Sequence, residues 1–296
     1  MKIVVTGALG QLGSELCRQI GPQAIPLDID TLDLTNGKAV IDMLRPMRLD
    51  MVINCAAYTQ VDKAEKEPDL AFAVNATAVE NLVSVCREAD CPLVQISTDY
   101  VFGCNEATAG TNRPYREDDP PSPQSVYAKS KLAGEQVAAS YEKHLIVRTC
   151  GLYARPSDKR AQNFVKTMLR FADTLVALRI VADQYCTPSY VPHVARAVMF
   201  LAGLTNSQPA PWGIYHVTNS GACTWYDFAV EIFRQAGINT KPEAITSAEY
   251  AAPAARPSYS VLDTTAYHRI GGPPMPDWKA ALEEYFCERR KLQIAQ

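Results

Sequence analysis

Tyr127-Ala128-Lys129-Ser130-Lys131 holds two side chains whose spacing suits proton chemistry. At positions i and i+4 of a helix, Tyr127 and Lys131 share one face and their tips can converge. A phenol titrates near 10 in water. A neighbouring ammonium stabilises the phenolate and turns the tyrosine into a proton donor or acceptor useful near neutrality, so Lys131 is expected to lower the Tyr127 pKa. Ser97-Thr98-Asp99 closes an apolar run, and the carboxyl end of a parallel strand is where doubly wound folds keep their sites. There the Thr98 hydroxyl can hydrogen-bond the substrate oxygen that Tyr127 protonates. Near the N-terminus, Gly7-Ala8-Leu9-Gly10-Gln11-Leu12-Gly13 follows a strand-like run and opens a helix-like one. Backbone amides and the positive helix end can meet a pyrophosphate in such a loop. Its spacing is G-x-x-G-x-x-G, not the G-x-G-x-x-G of the ordinary dinucleotide fold. Asp28 ends the next strand, where a carboxylate accepts hydrogen bonds from an adenosine ribose.

The elements that must position these residues are legible in the apolar pattern. Strands are expected at Lys2 to Thr6, Ala24 to Asp28, Met51 to Cys55, Pro92 to Ser97 and His144 to Thr149. Helix-period patterns lie between them, including Leu12, Leu16, Cys17 and Ile20, and a longer one over Asp69 to Ala89. Strands separated by helical crossovers predict an α/β fold, a doubly wound, Rossmann-like parallel sheet covered on both faces. Cys104 to Ser125 is polar and proline-rich, a loop feeding a helix that starts near Gln124. Beyond residue 150 the rhythm becomes irregular, with helical patterns at Gln162 to Asp173, Pro192 to Leu204, Thr224 to Ala236 and Asp277 to Arg290 and a short strand at Gly213 to Val217. The expected organisation is a dinucleotide-binding domain over 1–150, with 190–217 returning to it, and a smaller, mainly substrate-binding lobe over 151–296.

Composition narrows the partners. The 296 residues are 47% hydrophobic and 21% charged, which is ordinary for a folded soluble chain, and a net charge of -3 offers little attraction to nucleic acid or anionic lipid. No apolar run is long enough to span a bilayer, and the N-terminus lacks a charged-then-apolar leader. Nine scattered cysteines without a C-x-x-C pair predict reduced, mostly buried thiols and a cytoplasmic location. Histidines 144, 193, 216 and 268 lack metal-like spacing, and no metal site is expected.

The glycine loop, strand-end Ser/Thr and Y-x-x-x-K resemble the extended, sugar-nucleotide-modifying branch of the short-chain dehydrogenase/reductase superfamily. More narrowly, Gly10-Gln11-Leu12-Gly13, the run Asn54-Cys55-Ala56-Ala57-Tyr58-Thr59-Gln60-Val61-Asp62-Lys63-Ala64-Glu65, Ser97-Thr98-Asp99-Tyr100-Val101-Phe102, Val126 to Glu135 and Asn163 to Leu169 resemble the dTDP-4-dehydrorhamnose reductase family. The resemblance implies reduction of the 4-keto group of dTDP-4-dehydro-L-rhamnose by NADPH or NADH, in a monomer or homodimer. It implies Tyr127 as proton donor, Lys131 as its partner and a cofactor ligand, and Thr98 and Asp99 against the sugar. Gly7, Gly10, Gln11, Leu12, Gly13, Asp28, Asp33, Leu34, Ala56, Ala57 and Tyr58, with Tyr127 and Lys131, are then cofactor positions. Asn163 and Arg256 are substrate positions, Arg256 as a clamp on the pyrophosphate.

Two departures stand out. Cys150-Gly151-Leu152-Tyr153 occupies the place where the family reads Ser-Trp-Val-Tyr, so an aromatic lining of the sugar pocket is missing. Glu15 matches one ligand of the magnesium that some members hold, but Pro192 stands at the place of another. Rival readings are a sugar-nucleotide epimerase or dehydratase with tightly held NAD and a non-catalytic nucleotide-binding regulatory subunit. Asp99-Tyr100 in place of the dehydratases' Asp-Glu disfavours dehydration, and the complete Thr98, Tyr127 and Lys131 set disfavours a regulator.

Overall fold

The computed structural model describes residues 1–103, 113–158, 160, 162–172 and 178–294. Six strands form one sheet: β1 (Ile3–Thr6), β2 (Ala24–Leu27), β3 (Met51–Asn54), β4 (Leu93–Thr98), β5 (His144–Thr149) and β6 (Gly213–His216). Their order is β6-β5-β4-β3-β1-β2 and every neighbouring pair is parallel. The chain runs outward from β1 to β2, then crosses back to β3. That reversal leaves a crevice at the carboxyl ends of β1 and β3, the place where open α/β sheets bind ligands.

Successive strand residues face opposite sides, so each strand feeds two cores. On one side Ile3, Val5, Ile53, Val94, Ile96 and Val147 pack with Leu12 and Leu16 of α1 (Gln11–Ile20) and with Val194, Val198 and Leu201 of the helix Val191–Leu204. On the other, Val4, Val52, Leu93 and Ile146 pack with α2 (Gly37–Leu44), α3 (Ala78–Ala89) and Ala138 of α4 (Val126–Ala139). A third cluster lies apart from the sheet. There Val165 and Met168 of α5 (Phe164–Ala172), with α6 being Val191–Leu204, meet Phe228, Ile232 and Phe233 of α7 (Trp225–Ala236) and Trp278, Leu282, Tyr285 and Phe286 of α8 (Trp278–Ile294).

Most expected elements are present with ends moved by one or two residues. Residues 104–112 of the expected loop, and Asp173 at the end of one expected helix, lie outside the described residues. The helix near Gln124 starts at Val126, because the Ser125 side chain accepts the Ala128 amide and caps it. α8 runs past Arg290 to Ile294. The largest departure is the pattern over Asp69 to Ala89, which divides into Pro68–Phe72, a π-helical turn Ala73–Thr77 and α3. The turn holds the buried side chain of Asn75, whose hydrogen bonds lead into the crevice. Such turns recur at functional positions.

Candidate active site

The loop after β1 is built for close approach. Gly7 has φ +61, and a Cβ there would lie 2.6 Å from the Ala56 amide nitrogen; one on Gly13 would lie 2.2 Å from the Gly7 carbonyl. Any side chain at either position would push the loop off α1 and the β3 end. Gly10 begins α1 without a side-chain cap, and no acid stands in the first turn, so the positive helix end is left to an outside partner. Gln11 ties this end to a distant segment: its Oε1 accepts from the Ala154 amide at 3.0 Å and Asn163 Nδ2 at 3.3 Å, and its Nε2 donates to the Gln162 carbonyl at 3.3 Å. The Asp28 carboxylate accepts the Leu9 and Ile29 amides, each at 2.8 Å, which fixes its oxygens at the crevice. Asp33 lies nearby and accepts both the amide (2.9 Å) and the hydroxyl (2.7 Å) of Thr35.

These residues line one cavity of about 990 Å³. Gly7, Gly10 to Gly13, Asp28, Asp33, Leu34, Ala56, Ala57, Tyr58, Thr98, Asp99, Tyr127 and Lys131 all border it. Residues from five strand ends and α4 are thus brought to a common space.

At the start of α4 the Val126 amide donates to Glu65 Oε1 at 2.8 Å, so Glu65 and Ser125 together set how Tyr127 enters the cavity. Lys131 is buried and its Nζ donates to the Ile96 carbonyl at 2.8 Å, under the end of β4. Burial lowers its pKa to about 8, against the pull of the Glu135 carboxylate. Tyr127 is also buried, and that burial raises its pKa to about 12 although the hydrogen-bonding Thr98 hydroxyl works the other way. This corrects the expectation of a depressed phenol: in this structure desolvation outweighs any help from the ammonium, which is turned to a carbonyl. Glu135, one turn beyond Lys131, is held by Arg148 of β5 through bonds of 2.9 and 2.7 Å, and both side chains are almost wholly buried.

Asn75 was not picked out from the sequence. Its Oδ1 accepts the Tyr58 amide (2.9 Å), and its Nδ2 donates to the Tyr58 carbonyl (3.1 Å) and to Ser130 Oγ (2.9 Å). It therefore fastens the Ala56-to-Tyr58 wall to the helix that carries Tyr127 and Lys131. The available signal was a polar residue inside the apolar stripe Val74-Asn75-Ala76.

Three expected substrate positions are placed differently from the simple picture. Asp99 borders the cavity, yet Oδ2 accepts from Ser260 Oγ at 2.5 Å and Cys150 Sγ at 3.0 Å, and Oδ1 from Thr98 Oγ1 at 3.1 Å. Burial raises its pKa, and those three donors oppose the rise. Asn163 does not border the cavity and instead braces Gln11. Arg256 also stays outside it, because its guanidinium is paired with Asp62 at 2.8 Å and its side chain is only 16% exposed. Gly151 is in the wall with φ +55, and a Cβ there would be 3.1 Å from Pro188 Cα. The backbone as well as the sequence thus departs from an aromatic side chain at this point.

The wall suits a nicotinamide dinucleotide. Its glycines let the loop backbone pack directly against the β3 end and α1, and the lining residues Ser97 and Thr149 carry buried hydroxyls without a hydrogen-bond partner among the described residues. Unpaired buried hydroxyls are costly unless a ligand satisfies them.

Known proteins resemble this chain along almost its whole length. The family model described as the RmlD substrate binding domain matches residues 1–290. The spore coat polysaccharide biosynthesis protein SpsK of Bacillus subtilis is 39% identical, over 97% of this chain and 98% of that protein. The dTDP-4-dehydrorhamnose reductase of Salmonella typhimurium is 37% identical, over 97% and 98%. Among solved structures, a dTDP-4-dehydrorhamnose reductase from Clostridium acetobutylicum has a TM-score of 0.90 at 41% identity, covering 99% of this chain and all (100%) of that one. The Bacillus anthracis dTDP-4-dehydrorhamnose reductase in complex with NADP gives 0.87 at 37% identity, covering 97% and 100%. Matched along almost its whole length at these identities, and folded around the same kind of parallel sheet, the chain belongs to the dTDP-4-dehydrorhamnose reductase family of NAD(P)H-dependent oxidoreductases.

Proposed function

We propose that this chain reduces the 4-keto group of dTDP-4-dehydro-L-rhamnose to give dTDP-L-rhamnose, with Tyr127 as proton donor. The observation that carries the reading is the meeting of the glycine loop, Thr98, Tyr127 and Lys131 around one cavity. When bound, the reduced nicotinamide supplies hydride to the carbonyl carbon. Gly7, Gly10 to Gly13, Asp28, Asp33, Leu34, Ala56 to Tyr58 and Lys131 are the residues that would hold it. With a pKa of about 12, Tyr127 is protonated at neutral pH and has its phenolic proton ready for the oxygen that becomes an alkoxide. Thr98 orients that oxygen and the phenol. Lys131 is predominantly an ammonium at pH 7, given its pKa of about 8, and offsets the negative charge left on Tyr127. The Thr98 hydroxyl, which donates to Asp99 Oδ1 at 3.1 Å in the structure, turns its one proton from that carboxylate to the substrate oxygen when it orients it.

The two-lobe organisation belongs to the same reading. The sheet and its two cores, with Val191–Leu204 and β6 added to them, form a cofactor lobe, and the separate core of α5, α7 and α8 forms a substrate lobe. Tyr127→Phe tests the assignment: oxidation of NADH or NADPH by the ketosugar, followed at 340 nm, should fall by about 100- to 10,000-fold while cofactor affinity stays near wild type. Unchanged turnover would remove Tyr127 from the role, and no turnover by the wild-type protein would sink the substrate assignment.

A further inference from the structure

The expected phosphate clamp, Arg256, is neutralised by Asp62 and lies outside the cavity. A different arginine borders it. Among the described residues that line the cavity, only Lys131 and Arg160 are cations, and the Lys131 ammonium is engaged by the Ile96 carbonyl deep under the end of β4. Arg160 is exposed, and no carboxylate is paired with its guanidinium among the described residues. Its neighbour Asp158 meets it through the backbone, with Oδ1 accepting the Arg160 amide at 3.0 Å, and forms no ion pair with the guanidinium among the described residues. Gln162, two positions on, also lines the cavity, and its carbonyl accepts from Gln11 at the first turn of α1, so Arg160 hangs from the same rim as the glycine loop.

We propose that Arg160 is the diphosphate-binding arginine of this site. A guanidinium can offer two parallel N–H donors to adjacent phosphate oxygens, and an arginine without an acidic partner does not have to break an ion pair first. The proposal rests on the reading that the cavity takes a nicotinamide dinucleotide and a nucleotide-linked sugar. Both ligands carry a diphosphate, so the chemistry is shared and only the source differs.

The test is binding without turnover. NADH affinity is measured by fluorescence titration and dTDP affinity by calorimetry, on wild type, Arg160→Ala and Arg160→Lys, at low and moderate salt. Loss of two charge-assisted hydrogen bonds predicts that Arg160→Ala weakens one of the two ligands by about 10- to 100-fold, with a flatter salt dependence, and that Arg160→Lys restores part of the loss. A loss confined to NADH assigns the arginine to the cofactor diphosphate, and one confined to dTDP assigns it to the substrate diphosphate; either supports the proposal. Affinities for both ligands within about twofold of wild type would overturn it. If the wild-type protein binds neither ligand, the underlying functional reading fails instead. Because Arg160 is exposed, thermal melts of the variants should match wild type, and a drop in melting temperature accompanied by unchanged binding would likewise count against a ligand role.

Discussion

Asp28 offers a quantitative test of how the cavity reads its cofactor. Both its oxygens are fixed by the Leu9 and Ile29 amides, and the cavity-lining stretch from Leu27 to Thr35 adds Asp33 but no lysine or arginine. NADPH would bring a 2′-phosphate, about 1.5 to 2 negative charges near neutrality, to the ribose position beside that carboxylate. Two unit charges 4 Å apart repel by about 1 kcal/mol in water and about 4 kcal/mol at the effective dielectric of a protein surface. Asp28 is half-buried, so about 1.5 to 3 kcal/mol is the expected net penalty, or roughly 10- to 150-fold in affinity. The wild-type protein should therefore prefer NADH by that factor in kcat/KM at low salt, and the ratio should shrink as salt is added. Asp28→Asn keeps one acceptor for the loop amides and removes the charge. It should bring the NADH-to-NADPH ratio to within about threefold, mostly by improving NADPH. Steady-state rates at 340 nm with both cofactors, together with direct titrations, supply the measurement. Equal use of both cofactors by wild type, with no change of ratio in Asp28→Asn, would refute the charge argument.

Other expectations follow from the same geometry. Gly13→Ala forces a Cβ to within 2.2 Å of the Gly7 carbonyl, so NADH affinity should drop by at least about 100-fold with the far core intact, as seen by titration and by near-UV circular dichroism. Glu15 is raised by burial but brought down further by Arg18, Arg155 and Gln19, to a pKa of about 2 from 4.5. Because the folded value is the lower one, its contribution is complete above pH 4.5 and is lost as pH falls toward 2, about 3 kcal/mol in all. Glu15→Gln should lower urea stability at pH 7 and flatten the acid limb between those values; an unchanged acid limb would show that other carboxylates control it.

The local arithmetic of the chain was sufficient for much of this site. The i, i+4 spacing puts Tyr127 and Lys131 on one face of a helix whatever surrounds it, and alternating apolar runs specify β1, β3, β4 and β5 because both faces of each strand are buried. Position in those runs also brought Thr98 to a strand end and the three glycines to the first turn. The resemblance to a reductase family rests on these same short-range patterns. What required the folded molecule is everything decided between residues far apart in the chain. The pKa values of Tyr127 and Lys131 moved away from each other because both side chains are desolvated, a property of the enclosing walls that i, i+4 spacing does not contain. Asn75 reads as one more residue of a long helix until the π-helical turn directs it to Tyr58 and Ser130. Arg256 and Arg160 are chemically alike in sequence, and only tertiary structure pairs one with Asp62 and leaves the other on the cavity rim. Backbone periodicity is local and can be read along the chain, whereas charge pairing and burial depend on which distant segments the fold brings together.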